Sequence, residues 1–303
     1  MATVIDRIGA AGDIPQQIAQ AILGEVRTES TVMSLGRQVP VSTRDSSVPV
    51  LTSVPDASWL TGETGAPARK AVTAATWESV TLTAEELAAI VIIPDSVLED
   101  SEWDIWAAVR PLISRAFARR VDMAVMFGAG APASFGAGMV AAATTATQVV
   151  TPSADSAADL LEAAEQVSVT EHAPTAAVVR PGWQYAASRE RTQSLTANPV
   201  GSTYPLSVAG LPIRVDPTYW DAAVATAIVA DWQSVLYGIR HDLSFEMFNS
   251  GIVQNPDGTI ATNLLQEDCT AMRCVLRIGH VLAEPVNSAG VADVPVATIG
   301  PAA

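Results

Sequence analysis

The alternation of apolar and polar residues changes period sharply between residues 79 and 127. Ser79-Val-Thr-Leu-Thr83 alternates strictly, the signature of a strand with one covered face. Leu87-Ala-Ala-Ile-Val-Ile-Ile93 is a short continuous apolar run closed by Pro94, which predicts a buried strand. From Ser101 the spacing turns helical. Ile105, Val109, Leu112, Ile113, Ala116, Phe117, Val121 and Ala124 recur at intervals of three and four, predicting one apolar stripe on a helix over about 101–127. Ser101 is placed to cap it, with Asp104 three residues on. At 1.5 Å per residue such a helix is ~40 Å long. Pro111 inside it predicts a kink or a break, and the glycines from Gly128 to Gly138 predict the stop.

The segments on either side read differently. Residues 1–44 predict an extended or partly helical arm: Ile14-Pro15-Gln-Gln-Ile18 has helical spacing with proline at a first-turn position, and Val39-Pro40-Val41 is extended by proline. Such an arm has little core of its own and is expected to need a neighbour to order it. Residues 45–83, rich in Thr, Ser, Gly and Pro, are too long for an ordinary loop and predict a β-hairpin arm returning through Ser79–Thr83. Trp59, near its far end, is exposed unless another subunit covers it.

Past Gly138 the pattern is α/β. Helices are predicted over 156–167, with Leu160, Leu161, Ala164 and Val167 on one face, and over 183–193. Strands are predicted at 176–179, 211–215 and 225–230. Residues 231–240 and 243–248 read as a strand pair around a turn at His241-Asp242, residues 272–281 as a long strand, and the Pro/Ala-rich end as a tail. The fold class is α+β. Its divisions are an arm (1–44), an extended loop (45–83), a domain with the long helix (84–150), a second domain (151–240), return strands (241–287) and a tail (288–303).

Composition narrows the classes of function. Hydrophobic residues make up 49% and charged residues only 16% of 303, low for a monomer whose whole surface faces water. The net charge is −15, and Lys70 is the only lysine. Nucleic-acid affinity depends on clustered Lys and Arg, so a phosphate-gripping surface is not expected. Cys269 and Cys274, five apart on a strand-like segment, point to opposite faces, which disfavours both a disulfide and a metal site. No apolar run reaches the ~18 residues of a membrane span.

Chemistry is sought and not found. Gly136-Ala-Gly138-Met-Val-Ala141 matches G-x-G-x-x-A, but no strand precedes it and a Thr-rich segment follows, so the match is read as chance. His172, His241 and His280 have no spaced partners for metal or nucleophile chemistry. No catalytic, cofactor or metal residue is assigned. Arg115, Arg119 and Arg120 read either as a solvated helix face or as partners for the acids of an adjacent subunit.

An ordered series of segments then resembles one family. Ala57-Ser-Trp-Leu-Thr-Gly-Glu63 is similar to an extended-loop tip, and Ile93-Pro-Asp-Ser-Val-Leu-Glu-Asp-Ser101 to the turn before a spine helix. Asp122-Met-Ala-Val-Met-Phe-Gly-Ala-Gly130 is similar to the end of that helix, and Leu211-Pro-Ile213 and Ile228-Val-Ala-Asp-Trp232 to strands of an axial domain. Cys274-Val-Leu-Arg-Ile-Gly-His-Val-Leu-Ala-Glu-Pro285 is similar to the last strand of a peripheral domain. Together, over about residues 14–287, they resemble the major capsid proteins of tailed double-stranded DNA phages, of the Hong Kong 97 type.

The resemblance implies a shell protein whose partners are its own copies, in pentamers and hexamers of an icosahedral head. The enclosed duplex DNA would be held without sequence-specific binding. It allows scaffolding, portal or decoration proteins as further partners, and implies a virion protein made in the host cytoplasm. It makes Trp59, Glu63, Arg69, Lys70, Arg115 and Arg119 candidate inter-subunit contacts. Trp59 is expected on a neighbour's long helix or peripheral sheet. Some members precede the arm with a cleaved scaffolding segment. Here Met1 leads directly into the arm, so a separate scaffold or none is expected. Some members join a loop lysine to a neighbour's asparagine with the help of a glutamate. Lys70 and Asn263 occupy comparable places, but no glutamate matches that role, so no crosslink is expected. Alternatives are an encapsulin-type bacterial compartment and, from another class, a soluble enzyme.

Overall fold

The computed structural model describes residues 24–53, 75–100, 105–194, 207–208, 210–216, 219–255, 257–287, 291 and 293–301. In chain order the helices are α1 (24–29), α2 (Thr31–Leu35), α3 (Asp95–Asp100), α4 (Ile105–Phe127), α5 (Met139–Thr145), α6 (Ser156–Val169) and α7 (Trp183–Ser194). The strands are β1 (Arg37–Gln38), β2 (Asp45–Ser53), β3 (Thr76–Thr83), β4 (Glu85–Pro94), β5 (Val149–Val150), β6 (Ala176–Val179), β7 (Ser207–Val208), β8 (Leu211–Val215), β9 (Ala227–Ala230), β10 (Val235–Phe248), β11 (Ile252–Gln254), β12 (Ile260–Asn263), β13 (Cys269–Leu282) and β14 (Val296–Ile299).

They build two main sheets. A four-stranded sheet has the order β1-β10-β13-β4, with β1 parallel to β10 and the rest antiparallel. A six-stranded mixed sheet has the order β5-β14-β9-β6-β8-β7. Its central strands are apolar at every position because both faces are covered. Ala176, Val178, Ile228, Ala230 and Val296 face one core, shared with α4, α5 and the four-stranded sheet. Ala177, Val179, Ala227, Val229, Ala297 and Ile299 face a second core under α6 and α7.

Several expectations need correcting. Residues 235–248 form one strand rather than a hairpin. His241-Asp242 falls where the β10–β13 register shifts on both sides of His241, so a polar pair that imitates a turn marks a bulge. The terminal segment is not wholly a tail, because Val296–Ile299 is a buried strand between β5 and β9. β4 is an edge strand covered on one face only, with Ile90 51% exposed, and not a buried strand. Pro111 does not break α4, which runs through it.

On α4 the buried face is Ile113, Phe117, Ala118, Val121 and Val125, while Leu112 (64% exposed) and Ala116 face outward. Leu161 is likewise off the covered face of α6. Finally, residues 24–38 are docked within the subunit rather than waiting for a neighbour: Val26, Val32 and Met33 are buried in the main core. The Ile14–Leu23 helix and the Ser101 cap lie outside the described residues.

Gly128 and Gly138 show why α4 ends where it does. A Cβ on Gly138 would sit 2.5 Å from the Gly128 nitrogen, and both residues have positive φ. The two backbones cross in contact as the chain turns into α5, which only glycine permits. The G-x-G-x-x-A match is thus a crossing point preceded by a 3₁₀ turn, Ala133–Phe135. The segment after it is α5, not an irregular Thr-rich stretch.

Candidate assembly surface

The long helix α4 organises what surrounds it. On its buried side Asp122 is fully enclosed and accepts hydrogen bonds from Ser30 Oγ (2.7 Å), the Thr31 amide (3.1 Å) and the Val32 amide (3.1 Å). Those donors are the first groups of α2, so a carboxylate on α4 caps another helix. Ser114 Oγ donates to Glu25 at 3.3 Å, Arg115 pairs with Glu29 at 3.4 Å, and Tyr237 donates its hydroxyl to the Met33 carbonyl at 3.0 Å. The segment around α1 and α2 is therefore fastened at three points along the helix and at a fourth on β10.

The outer side of α4 is an open groove of about 510 Å³ lined by Leu112, Arg115, Ala116, Arg119, Arg120 and Met123. The Arg119 guanidinium lies 5.5 Å from the centre of the Tyr219 ring, a cation–π distance. Arg120 fills the space beside Gly130, where a Cβ would strike its guanidinium. A second cavity of about 320 Å³, lined among others by Glu85, Glu86, Arg120 and Phe135, lies between this helix and the edge strand β4.

The hairpin β2–β3 pairs in register from Asp45↔Thr83 to Leu51↔Trp77, and the register shifts by one residue before Ser53↔Thr76. Its root is anchored where Gly238 on β10 stands opposite Gly279 on β13. The missing side chain of Gly279 makes room for Leu82, which is fully buried, and that of Gly238 makes room chiefly for Val41. Further out the ribbon is exposed, with Trp77 65% accessible. The β11–β12 hairpin also carries exposed apolar residues, Ile252 and Ile260.

Of the residues singled out from the sequence, Arg115 and Arg119 lie together on the outer groove. Trp59, Glu63, Arg69 and Lys70 lie outside the described residues. Sequence reasoning missed Asp122, Leu82 and the Gly238–Gly279 pair. The legible signal for Asp122 was a lone acid within an apolar helical stripe, a position where a charge needs partners.

Reactive chemistry is sparse. Among the described residues no three His, Cys, Asp or Glu side chains are grouped to hold a metal ion. No helix among them is long and apolar enough to cross a membrane. Both cysteines are free thiols, buried in different clusters. Burial pushes the Cys274 thiol up to about 12, away from the reactive thiolate.

His280 is enclosed beside Phe135, with ring centres 5.9 Å apart, and burial pushes its pKa down from 6.5 to about 4. The unfolded chain takes up that proton at a pH where the folded chain refuses it. The stability linked to His280 is thus fully present above about pH 6.5 and is lost as the pH falls toward 4. The full difference is on the order of 3 kcal/mol. Thermal melts at pH 7 and pH 5 should show a smaller acid loss in His280→Leu than in the parent; equal losses would refute this.

This architecture recurs in known proteins. The chain matches the Phage capsid family over residues 12–286. It is 21% identical to the major capsid protein of Staphylococcus phage 80alpha, over 90% of this chain and 82% of that one. A solved chain of Microbacterium phage Oxtober96 superposes with a TM-score of 0.77 at 28% identity, covering 90% of this chain and 91% of that one. One of Mycobacterium phage Adephagia gives 0.75 at 25% identity and 90% of each. The fold is of the Hong Kong 97 type, as the sequence series suggested. The match takes in α1 and α2, the hairpin, the long helix and most of both sheets rather than one shared module, so the protein belongs to the Phage capsid family.

Proposed function

We propose that the chain is the major capsid protein of a tailed phage, whose copies close into pentamers and hexamers of an icosahedral head around double-stranded DNA. The observation that carries this reading is coverage: the family match and the 80alpha relative each span about nine-tenths of the chain. The geometry agrees. A two-stranded ribbon such as β2–β3 has too little core to be stable alone in water, and Trp77 on it is exposed. Both features suit a ribbon that lies on a neighbouring subunit, with Trp59, Glu63, Arg69 and Lys70 near its far end as the contacts. A net charge of −15 suits a container that does not bind its DNA tightly. An encapsulin is disfavoured by the phage family and relatives. The assembled protein resides in the virion after synthesis in the host cytoplasm, with scaffolding, portal or decoration proteins as candidate further partners.

Electron microscopy of the expressed protein tests the reading. Closed shells are the expected result; a chain that stays monomeric at every concentration would sink it. Replacing residues 54–74 by a short Gly/Ser linker should leave the circular dichroism of the subunit intact and remove the shells. Normal shells from that variant would rule out assembly through the hairpin.

A further inference from the structure

The outer groove of α4 is a patch of positive charge on a strongly acidic protein. Ile105–Phe127 carries four arginines, Arg110, Arg115, Arg119 and Arg120, and one acid, the buried Asp122. Arg115 already has Glu29. Among the described residues, neither Arg119 nor Arg120 has a carboxylate within 4 Å. Arg119 is instead braced on Tyr219, and Arg120 on the Gly130 backbone. Between and beside these cations stand Leu112, Ala116 and Met123. Phosphate backbones match the cations but not a 64% exposed leucine. A mixed lining of this kind fits a peptide segment that is both acidic and apolar.

The chain itself contains segments of this composition. In Asp155–Glu165 two of the four acids are already engaged, Asp155 by the first amides of α6 and Asp159 by Ser153. Another stands directly before α4. Leu98-Glu-Asp-Ser-Glu-Trp-Asp104 holds four carboxylates and no base, together with Leu98 and Trp103. The other candidates fit less well. Residues 54–74 balance Asp56 and Glu63 against Arg69 and Lys70, and residues 195–206 are uncharged. The β11–β12 hairpin has acids, but they are engaged at home: Asp257 accepts from Thr259 Oγ1 at 2.6 Å, and Glu267 from the Asn263 amide at 3.1 Å. Resting on the capsid reading above, we infer that the α4 groove receives residues 98–104 of a second copy, with Glu102 and Asp104 meeting Arg119 and Arg120. Groove and segment are different parts of the same sequence. Repeating the contact is therefore heterologous, head to tail, and closes into a ring when the rotation between copies allows it. The hairpin and this contact are then separate bonds between subunits.

Charge reversal tests the pairing. Arg119→Glu with Arg120→Glu should keep the subunit's circular dichroism and reduce shells by at least about tenfold, since like charges are then opposed at an interface. Glu102→Arg with Asp104→Arg should do the same, and all four together should restore assembly. A second measurement is independent of tolerance for reversal. From Ile105 to Arg119 is about 21 Å along the helix, too far for a disulfide to form within one chain. Glu102→Cys with Arg119→Cys should therefore give covalent ladders between copies on oxidation. Shells unaffected by the arginine reversal, or a reversal not rescued together with no ladder, would overturn the pairing while leaving the capsid reading intact. Normal assembly with less nucleic acid retained in purified shells would assign the groove to DNA instead. Absence of shells from the unaltered chain would sink the capsid reading itself, and the pairing with it.

Discussion

Asp122→Ala is expected to destabilise the subunit by about 5 kcal/mol. The side chain is fully enclosed, and its loss strands three donors: Ser30 Oγ, the Thr31 amide and the Val32 amide. Each unsatisfied buried donor costs roughly 1–3 kcal/mol. The small cavity left behind adds to that cost. In a chain of this size the melting temperature should fall by roughly 10 °C or more. Asp122→Asn should fall between the two. Its carbonyl oxygen can still serve Ser30 and Val32, but its amide turns a donor toward the Thr31 N–H. The loss should be local in its first effect, because α1 and α2 lose their anchor while α4 keeps its own apolar face. Limited proteolysis should therefore find new cleavage within residues 24–38 of the alanine variant before the rest of the chain opens. An unchanged melting temperature in Asp122→Ala would refute the anchoring role.

That segment also shows where the sequence was hard to read. The spacing of Phe117, Val121 and Ala124 made α4 evident, and the alternation of Ser79–Thr83 made the hairpin evident, because both patterns are local. The N-terminal segment, by contrast, is poor in apolar residues. Its order comes from a carboxylate some 90 positions away, a pairing that no short window displays. β14 was invisible for the same reason. Four residues of Val-Ala-Thr-Ile after a proline become a strand only because β5 and β9 flank them. The outward turn of Leu112 was missed because periodicity identifies a stripe but not which of its margins a neighbour covers. The contact surface was legible as residue types, since Arg115 and Arg119 do share the outer groove. What each of them meets was not. Arg115 has Glu29 of its own chain, and Arg119 an aromatic ring, both far away in sequence.

The root of the hairpin offers the other large effect. Leu82 is fully buried, and its Cδ2 lies where a Cβ on Gly279 would be, close also to one on Gly238. Gly279 thus gives one leucine of β3 its socket, while Gly238, opposite it across β10 and β13, gives way chiefly to Val41 and borders the same leucine. Leu82→Ala should destabilise by about 4 kcal/mol, near the upper range for a leucine whose site cannot collapse around the gap. The socket's floor is backbone held in a sheet, which cannot move in to fill it. Gly279→Ala should destabilise by about 1–3 kcal/mol through overpacking, because its methyl would collide with Leu82 and stand 2.7 Å from the Thr83 carbonyl oxygen.

The two changes should not add. With Leu82 shortened, the new methyl meets only the carbonyl, and it occupies part of the space the leucine left. The double variant should therefore be more stable than the sum of the singles predicts, by about 1 kcal/mol. Denaturant unfolding of the four proteins measures this coupling directly, and strict additivity would show that leucine and glycine do not share the socket. The same set reports on assembly. The socket sets the direction in which β2–β3 leaves the four-stranded sheet, so Leu82→Ala should lower shell yield even at temperatures where the subunit is still folded. If shells form normally from a Leu82→Ala subunit with the expected loss of stability, the hairpin's direction is held by something other than this socket.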